Sequence, residues 1–220
     1  MNIALFGGTF DPIHRAHVAL AEACREQLGL DEVWFLVTPQ NPWKRDSHLT
    51  ADEHRLRMVQ MAIDGHPGLV ASDYEFHLEK PTYSYLTLRH LRHDYPQHTF
   101  TLIIGGDNWA QFDHWANYEE ILQHHPVAVY PRGEKEVIGN SEKGIEDMHR
   151  QGQEGKGNLL LPITCYLSDL PLLPISSTDI RRRIAEGRSV EGLIHPAVEQ
   201  YIRDNGLYNS PPSPHGWGML

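Results

Sequence analysis

Short apolar runs recur along the chain, separated by stretches rich in helix-forming residues. The runs at residues 3–6, 32–38, 100–104, 126–130 and 159–166, with a weaker one at 69–72, have the length and branching of buried strands. Between them, residues 18–28, 51–63 and 85–92 place apolar side chains three and four apart, the spacing of one helix face. Strand alternating with helix predicts an α/β fold built on a mostly parallel sheet covered on both faces. Ligands of such sheets bind beyond the carboxyl ends of the strands. Gly7-Gly8, Thr38-Pro39 and Gly105-Gly106-Asp107 all fall there.

Two stretches break the pattern. Residues 133–158 are polar, glycine-dotted and poor in core residues, which predicts a surface excursion with a short helix around 141–150. Residues 209–220, "NSPPSPHGWGML", carry three prolines and no periodicity, so a loose tail is expected after a single domain spanning 1–208. At 220 residues the chain is long enough for one substantial core. No apolar run approaches the roughly 20 residues of a membrane span, so no membrane partner is expected. Met1 leads directly into the first strand and leaves no room for a signal peptide, which points to the cytoplasm. Cys24 and Cys165 lie far apart and read as reduced thiols, Cys24 packed in the first helix. A formal charge of −10 argues against bulk nucleic-acid binding, so any polyanionic ligand must be held by a local cluster of positive groups.

Four stretches carry candidate chemistry. In "GGTFDPIHRAH", Gly7 and Gly8 sit on a strand-to-helix turn, where backbone N–H groups and the positive end of a helix converge. His14 and His17, three apart, fall on nearly the same face and are placed to grip phosphate oxygens above that turn; the plainer reading is a helix capped by Asp11-Pro12 with incidental histidines. A zinc site would need further ligands that the local sequence lacks, so no metal ligand is assigned. In "TPQNPWKRDSHL", the prolines stiffen a loop and Lys44 offers a compact charge suited to phosphate, or else Lys44 and Arg45 are solvated loop charges. In "IIGGDNWAQFDHW", Gly105-Gly106 lets a backbone approach a ligand, and Asp107 either accepts ribose hydroxyls or caps a helix over 108–112. Trp109 reads as core, whereas Trp115 lies in a looser stretch where it can stack on a flat ring. In "ISSTDIRRRIAEG", Ser176, Ser177 and Thr178 open a helix that ends near Gly187. Three consecutive arginines cannot all face one way, and Arg181 is the one within a turn of the helix start, where it would form a second phosphate clamp.

Taken in this order, the stretches resemble the nucleotidyltransferase superfamily with an HxGH motif, and within it the nicotinate-nucleotide adenylyltransferases. The likeness runs through "GGTFDPIHRAH", "PQNPWK", "PTYSYLTLRHL", "IIGGDNWAQFDHW" and the block from Pro174 to Tyr208. It departs at Ala16, which stands where the family has glycine between the two histidines. The resemblance implies a Rossmann-like, doubly wound parallel sheet with a C-terminal helical segment. It also implies transfer of AMP from ATP to nicotinate mononucleotide, giving nicotinate adenine dinucleotide and pyrophosphate in NAD biosynthesis, with phosphate-bound Mg²⁺.

By this likeness His14, His17, Lys44 and Arg181 carry catalysis. Gly7, Gly8, Thr9, Phe10, Ser177 and Thr178 complete the ATP phosphate site, with Gly105 and Asp107 at the adenosine sugar. Lys44, Ser84, Trp115 and Ala116 surround nicotinate mononucleotide, Ser84 and Ala116 offering backbone N–H groups to its carboxylate. The alternatives are a sibling enzyme using nicotinamide mononucleotide or phosphopantetheine, and a nucleotide sensor without chemistry. A monomer and a homodimer are equally compatible with the sequence.

Overall fold

The computed structural model describes residues 1–39, 49–131, 165–167 and 173–209. The strands are β1 (Asn2–Gly8), β2 (Glu32–Val37), β3 (Leu69–Ser72), β4 (Thr99–Gly105), β5 (Val127–Tyr130) and β6 (Cys165–Tyr166). The helices are α1 (Arg15–Gln27), α2 (Asp52–Ala62), α3 (Ser84–Asp94), α4 (Gly106–Trp109), α5 (Tyr118–His124), α6 (Ser177–Ala185) and α7 (Pro196–Asp204). Single 3₁₀ turns at Tyr74–His77 and Phe112–His114 join them. The expected α/β alternation is therefore present, with every apolar run that falls on described residues forming a strand.

The strand order is β3-β2-β1-β4-β5-β6. This is the doubly wound order, in which the chain reverses direction of build between β1 and β4. β1 pairs parallel with β4 from Asn2↔Thr99 to Phe6↔Ile103, β4 with β5 from Leu102↔Val127 to Gly105↔Tyr130, and β5 with β6. Parallel central strands are apolar on both faces because helices cover both. Ile3, Ala4 and Leu5 of β1 and Val127, Ala128 and Val129 of β5 are accordingly fully buried.

The chain divides into two compact units, each assembled from separate segments. The first comprises Met1–Phe6, Cys24–Val33 and Tyr83–Leu170. Here α3 packs against α5 through Leu88, Leu91 and Ile121, and Arg89 forms a forked ion pair with Glu120. His125, at the end of α5, is buried and its Nδ1 lies 3.2 Å from the carbonyl oxygen of Phe100 on β4. Since a carbonyl only accepts, that nitrogen carries the proton. Burial holds the His125 pKa down at about 4.

The second unit comprises Gly7–Ala23, Trp34–Thr82 and Pro171–Leu220. Helix α1 buries Val18, Leu20 and Ala21 there, and its continuation buries Cys24 as expected. Helix α2 packs on α7, each contributing a buried stripe, Met58, Val59 and Ala62 against Val198 and Ile202. His54 Nδ1 and the Tyr201 hydroxyl, 2.8 Å apart, join the two helices at their margin. The expectations for residues 133–158, the tail after 209, the side chain of Cys165 and Lys44 with its loop all lie outside the described residues.

Candidate active site

In the turn after β1 a polar network adds to apolar packing and ties the turn to residues distant in sequence. Gly7 is exposed, and a Cβ built on it would meet nothing within 4 Å. Bare backbone thus faces open space at the strand end. Gly8 is a different case: a Cβ there would come within 3.0–3.3 Å of the Phe10 ring. Phe10 is buried with φ of +47°, and its ring lies edge-on to His17 at 5.2 Å and against Phe35 at 5.4 Å. The ring thereby packs between His17 and Phe35. Thr9 is exposed beside it, and its carbonyl faces inward.

His14 is buried and immediately precedes α1; His17 lies in the first turn of α1 and is half-buried. Their rings stack at 3.6 Å with planes 16° apart, so the spacing of three does place both imidazoles on one face. The His14 backbone N–H donates to His17 Nδ1 at 3.2 Å. An accepting Nδ1 puts the proton of His17 on Nε2 and makes that atom a hydrogen-bond donor. Ala16, the departure from the family pattern, sits half-buried between them in the same turn.

Asp11 does not cap α1. The helix starts four residues later at Arg15, and the Asp11 side chain is 2% exposed and committed elsewhere: Oδ1 accepts from the Tyr208 hydroxyl and Oδ2 from the Thr50 N–H. The Asp11 backbone carbonyl accepts from the guanidinium of Arg181. This brings the arginine of α6 to within three residues of His14. Arg181 also donates to the Thr178 hydroxyl at 3.3 Å, and the Ser177 hydroxyl donates to the carbonyl of Pro12 at 2.9 Å. Burial lowers the Arg181 pKa from its ordinary value, and the neighbouring Asp11 charge opposes that shift. Arg182 and Arg183 turn back onto Asp179 of their own helix instead. Ser176, not Ser177 or Thr178, is the α6 cap, accepting from the Asp179 N–H at 3.2 Å. His14, His17, Ser177, Thr178 and Arg181 therefore converge on one turn within the second unit.

Arg55 completes this arrangement, and sequence reasoning passed over it. It is fully buried in α2, donating to the carbonyls of Thr9 at 2.6 Å, Thr38 at 2.8 Å and Thr50 at 2.9 Å and pairing with Asp52. One side chain thus ties the loops that follow β1 and β2. A signal existed: Arg55 precedes Met58, Val59 and Ala62 by three, four and seven residues, on the stripe that packs inward.

The remaining predicted residues belong to the first unit. Gly105 ends β4 in extended conformation and is followed at once by α4. The helix expected over 108–112 instead covers Gly106–Trp109, with a separate 3₁₀ turn after it. Asp107 is consequently its second residue and makes no cap; the N-cap is Gly105, which offers no side chain. Asp107 is exposed at a helix start, where its charge complements the helix N-terminus. Trp109 is buried as expected and stacks on Phe112 at 5.1 Å. Trp115 is half-buried, tilted against Phe112 at 5.2 Å, in extended backbone followed by the exposed Ala116. Ser84 is the first residue of α3 and half-buried, so its backbone N–H belongs to the unsatisfied first turn of a helix. Among the described residues, no group of three or more His, Cys, Asp or Glu could hold a metal ion. Among them also, no helix is long and apolar enough to cross a membrane.

Residues 5–183 match the model of the cytidylyltransferase-like family. The chain is 42% identical over 198 residues to a protein of Bacteroides fragilis (strain YCH46) named probable nicotinate-nucleotide adenylyltransferase, covering 90% of this chain and 89% of that one. A Bacteroides thetaiotaomicron protein of the same name is 41% identical over 204 residues, covering 93% and 92%. In fold it is similar to Plasmodium falciparum nicotinic acid mononucleotide adenylyltransferase complexed with NaAD, with a TM-score of 0.74 at 22% identity over 96% of this chain and 98% of that one. The chain belongs to the cytidylyltransferase-like family and, within it, to the nicotinate-nucleotide adenylyltransferases, which are nucleotidyltransferase enzymes.

Proposed function

We propose that this chain transfers the AMP moiety of ATP to nicotinate mononucleotide, forming nicotinate adenine dinucleotide and pyrophosphate in NAD biosynthesis, with the turn from Gly7 to His17 as the place where phosphoryl chemistry is organised. The observation that carries this assignment is the stacked His14–His17 pair, with Arg181 reaching the backbone three residues before it. The nucleophile is an oxygen of the acceptor's phosphate monoester, whose second pKa is about 6, so it is already largely ionised at neutral pH and no strong general base is needed. That oxygen forms a bond to the α-phosphorus as the bond to the bridging oxygen of the β-phosphate breaks, and pyrophosphate leaves with the electron pair. Catalysis then consists of aligning two phosphates and stabilising charge that spreads over the transferring group.

In this reading Gly7 and Gly8 admit the triphosphate to the strand end, and Thr9 and Phe10 shape the turn around it. The Nε2–H of His17 donates to the transferring phosphoryl group, with His14, Lys44 and Arg181 holding the rest of the triphosphate. Ser177 and Thr178 support Arg181. Gly105 and Asp107 contact the adenosine sugar, and Ser84, Trp115, Ala116 and Lys44 bind the pyridine nucleotide. The positive side chains named at the turn are phosphate binders rather than ligands for a hard dication, which fits Mg²⁺ carried in on phosphate oxygens. Bound there, the ion would offset charge on the triphosphate. Consumption of ATP fits a cytoplasmic setting.

A pyrophosphate-release assay with ATP and each candidate acceptor tests the reading. Turnover should strongly favour nicotinate mononucleotide, because backbone N–H donors suit a carboxylate and oppose an amide NH₂. Comparable turnover of nicotinamide mononucleotide would defeat the acceptor assignment. Nucleotide binding with no turnover of any acceptor would defeat the enzymatic one.

A further inference from the structure

We propose that Tyr208 is a positioning residue for adenylyl transfer, acting through Asp11 to set the guanidinium of Arg181 against the histidine-bearing turn. The inference rests on the phosphate-clamp role of Arg181 given above. Tyr208 lies 197 residues from Asp11 in the chain, and its hydroxyl donates to Asp11 Oδ1. Asp11 is 2% exposed, so its carboxylate has protein donors where solvent would otherwise be. Its other oxygen takes the Thr50 N–H, and Thr50 in turn gives its carbonyl to Arg55. The carbonyl of the same Asp11 receives Arg181. Side chain and main chain of one residue thus face two different partners, and fixing the first fixes the second.

The backbone of Tyr208 shows that the position is held against a local preference. Its φ is +63°, in the left-handed region that non-glycine residues rarely occupy and that persists only where surrounding contacts enforce it. The hydroxyl contact is such a constraint. Burial together with Asp11 also raises the Tyr208 pKa, so the phenol stays protonated and remains the donor.

The test is a mutant cycle of Tyr208→Phe with Arg181→Lys, which keeps a charge and a measurable rate, read by pyrophosphate release and by the affinity for ATP. Loss of a buried hydrogen bond to a carboxylate should lower kcat roughly tenfold in Tyr208→Phe, with ATP affinity changing less. Adding Tyr208→Phe to Arg181→Lys should then lower the rate far less than tenfold, because the group being positioned is already gone. Thermal unfolding confirms that each variant is folded at the assay temperature. Asp11→Asn, which preserves shape, provides a second route to the same outcome if Tyr208→Phe is not. Unchanged kcat in Tyr208→Phe, or equal fold losses in both backgrounds, overturns the proposal while leaving the clamp intact. A wild-type rate in Arg181→Lys and in Arg181→Ala would overturn the clamp reading and this inference with it.

Discussion

The turn from Gly7 to His17 and the segment from Gly105 to Ala116 both follow strand ends, yet they are held in opposite ways. In the first, Phe10 and Ile13 are buried together with polar groups: Asp11, His14 and, reaching in from α2, the fully enclosed Arg55. Partners for that turn arrive from α2, from α6 and from Tyr208, so its carbonyls are fixed by residues distant in sequence. In the second, the buried groups are aromatic, Trp109 on Phe112, while Asp107, Asn108 and Ala116 face solvent. A satisfied buried polar network permits one arrangement only, because every displaced group would be left unpaired. A ring stack tolerates small slides at little cost. The contrast matches the proposed division of labour, in which phosphates must be aligned in one region and flat or sugar surfaces recognised in the other.

Breaking the polar region should have the largest effect. Arg55→Met fills similar space but strands three carbonyls and leaves Asp52 only Lys80, and should cost about 3–5 kcal/mol of stability in urea unfolding. A loss below about 1 kcal/mol would mean the network does not hold the turn.

The first unit has its own buried titratable group, and pH should expose it. The folded-state pKa of His125 is about 4, below its ordinary 6.5. The unfolded chain therefore binds more protons between these values, so stability is complete above about pH 6.5 and falls as the pH drops toward 4. The total is at most about 3 kcal/mol. Urea midpoints measured from pH 7.5 to 4.5 should decline in the native chain and flatten in His125→Gln; the same slope in both would assign the decline elsewhere.

The smallest effect belongs to the aromatic region. Trp115→Ala should raise the KM for nicotinate mononucleotide roughly tenfold and leave kcat nearly unchanged, as expected for loss of a stacking surface worth about 1–2 kcal/mol. A fall in kcat with KM unchanged would place Trp115 in the chemistry instead.

How much of this was legible in the sequence depends on the range of the interactions. The strands were readable because burial on both faces makes a run apolar without reference to any partner, and even the weak run at Leu69–Ser72 formed β3. The stacking of His14 on His17 followed from a spacing of three, a local rule. Asp11 was open to misreading as a helix cap because Asp before a helix usually is one, and the groups that claim it, Thr50 and Tyr208, are 39 and 197 residues away. Arg55 was overlooked since charged residues on helices are mostly solvated; only its position on the inward stripe of α2 betrays it. The helix after β4 starts earlier than expected for a further reason. Gly105 ends the strand in extended conformation, so the turn begins at Gly106 and leaves Asp107 inside it.

The central claim is that the histidine-bearing turn acts on the transferring phosphoryl group rather than merely holding nucleotide. Measuring kcat for pyrophosphate release beside the Kd for ATP in His17→Ala tests it most directly. The account predicts a fall in kcat of roughly a hundredfold or more, with ATP affinity weakened less than about tenfold. Equal losses in rate and affinity, or an unchanged kcat, would contradict it.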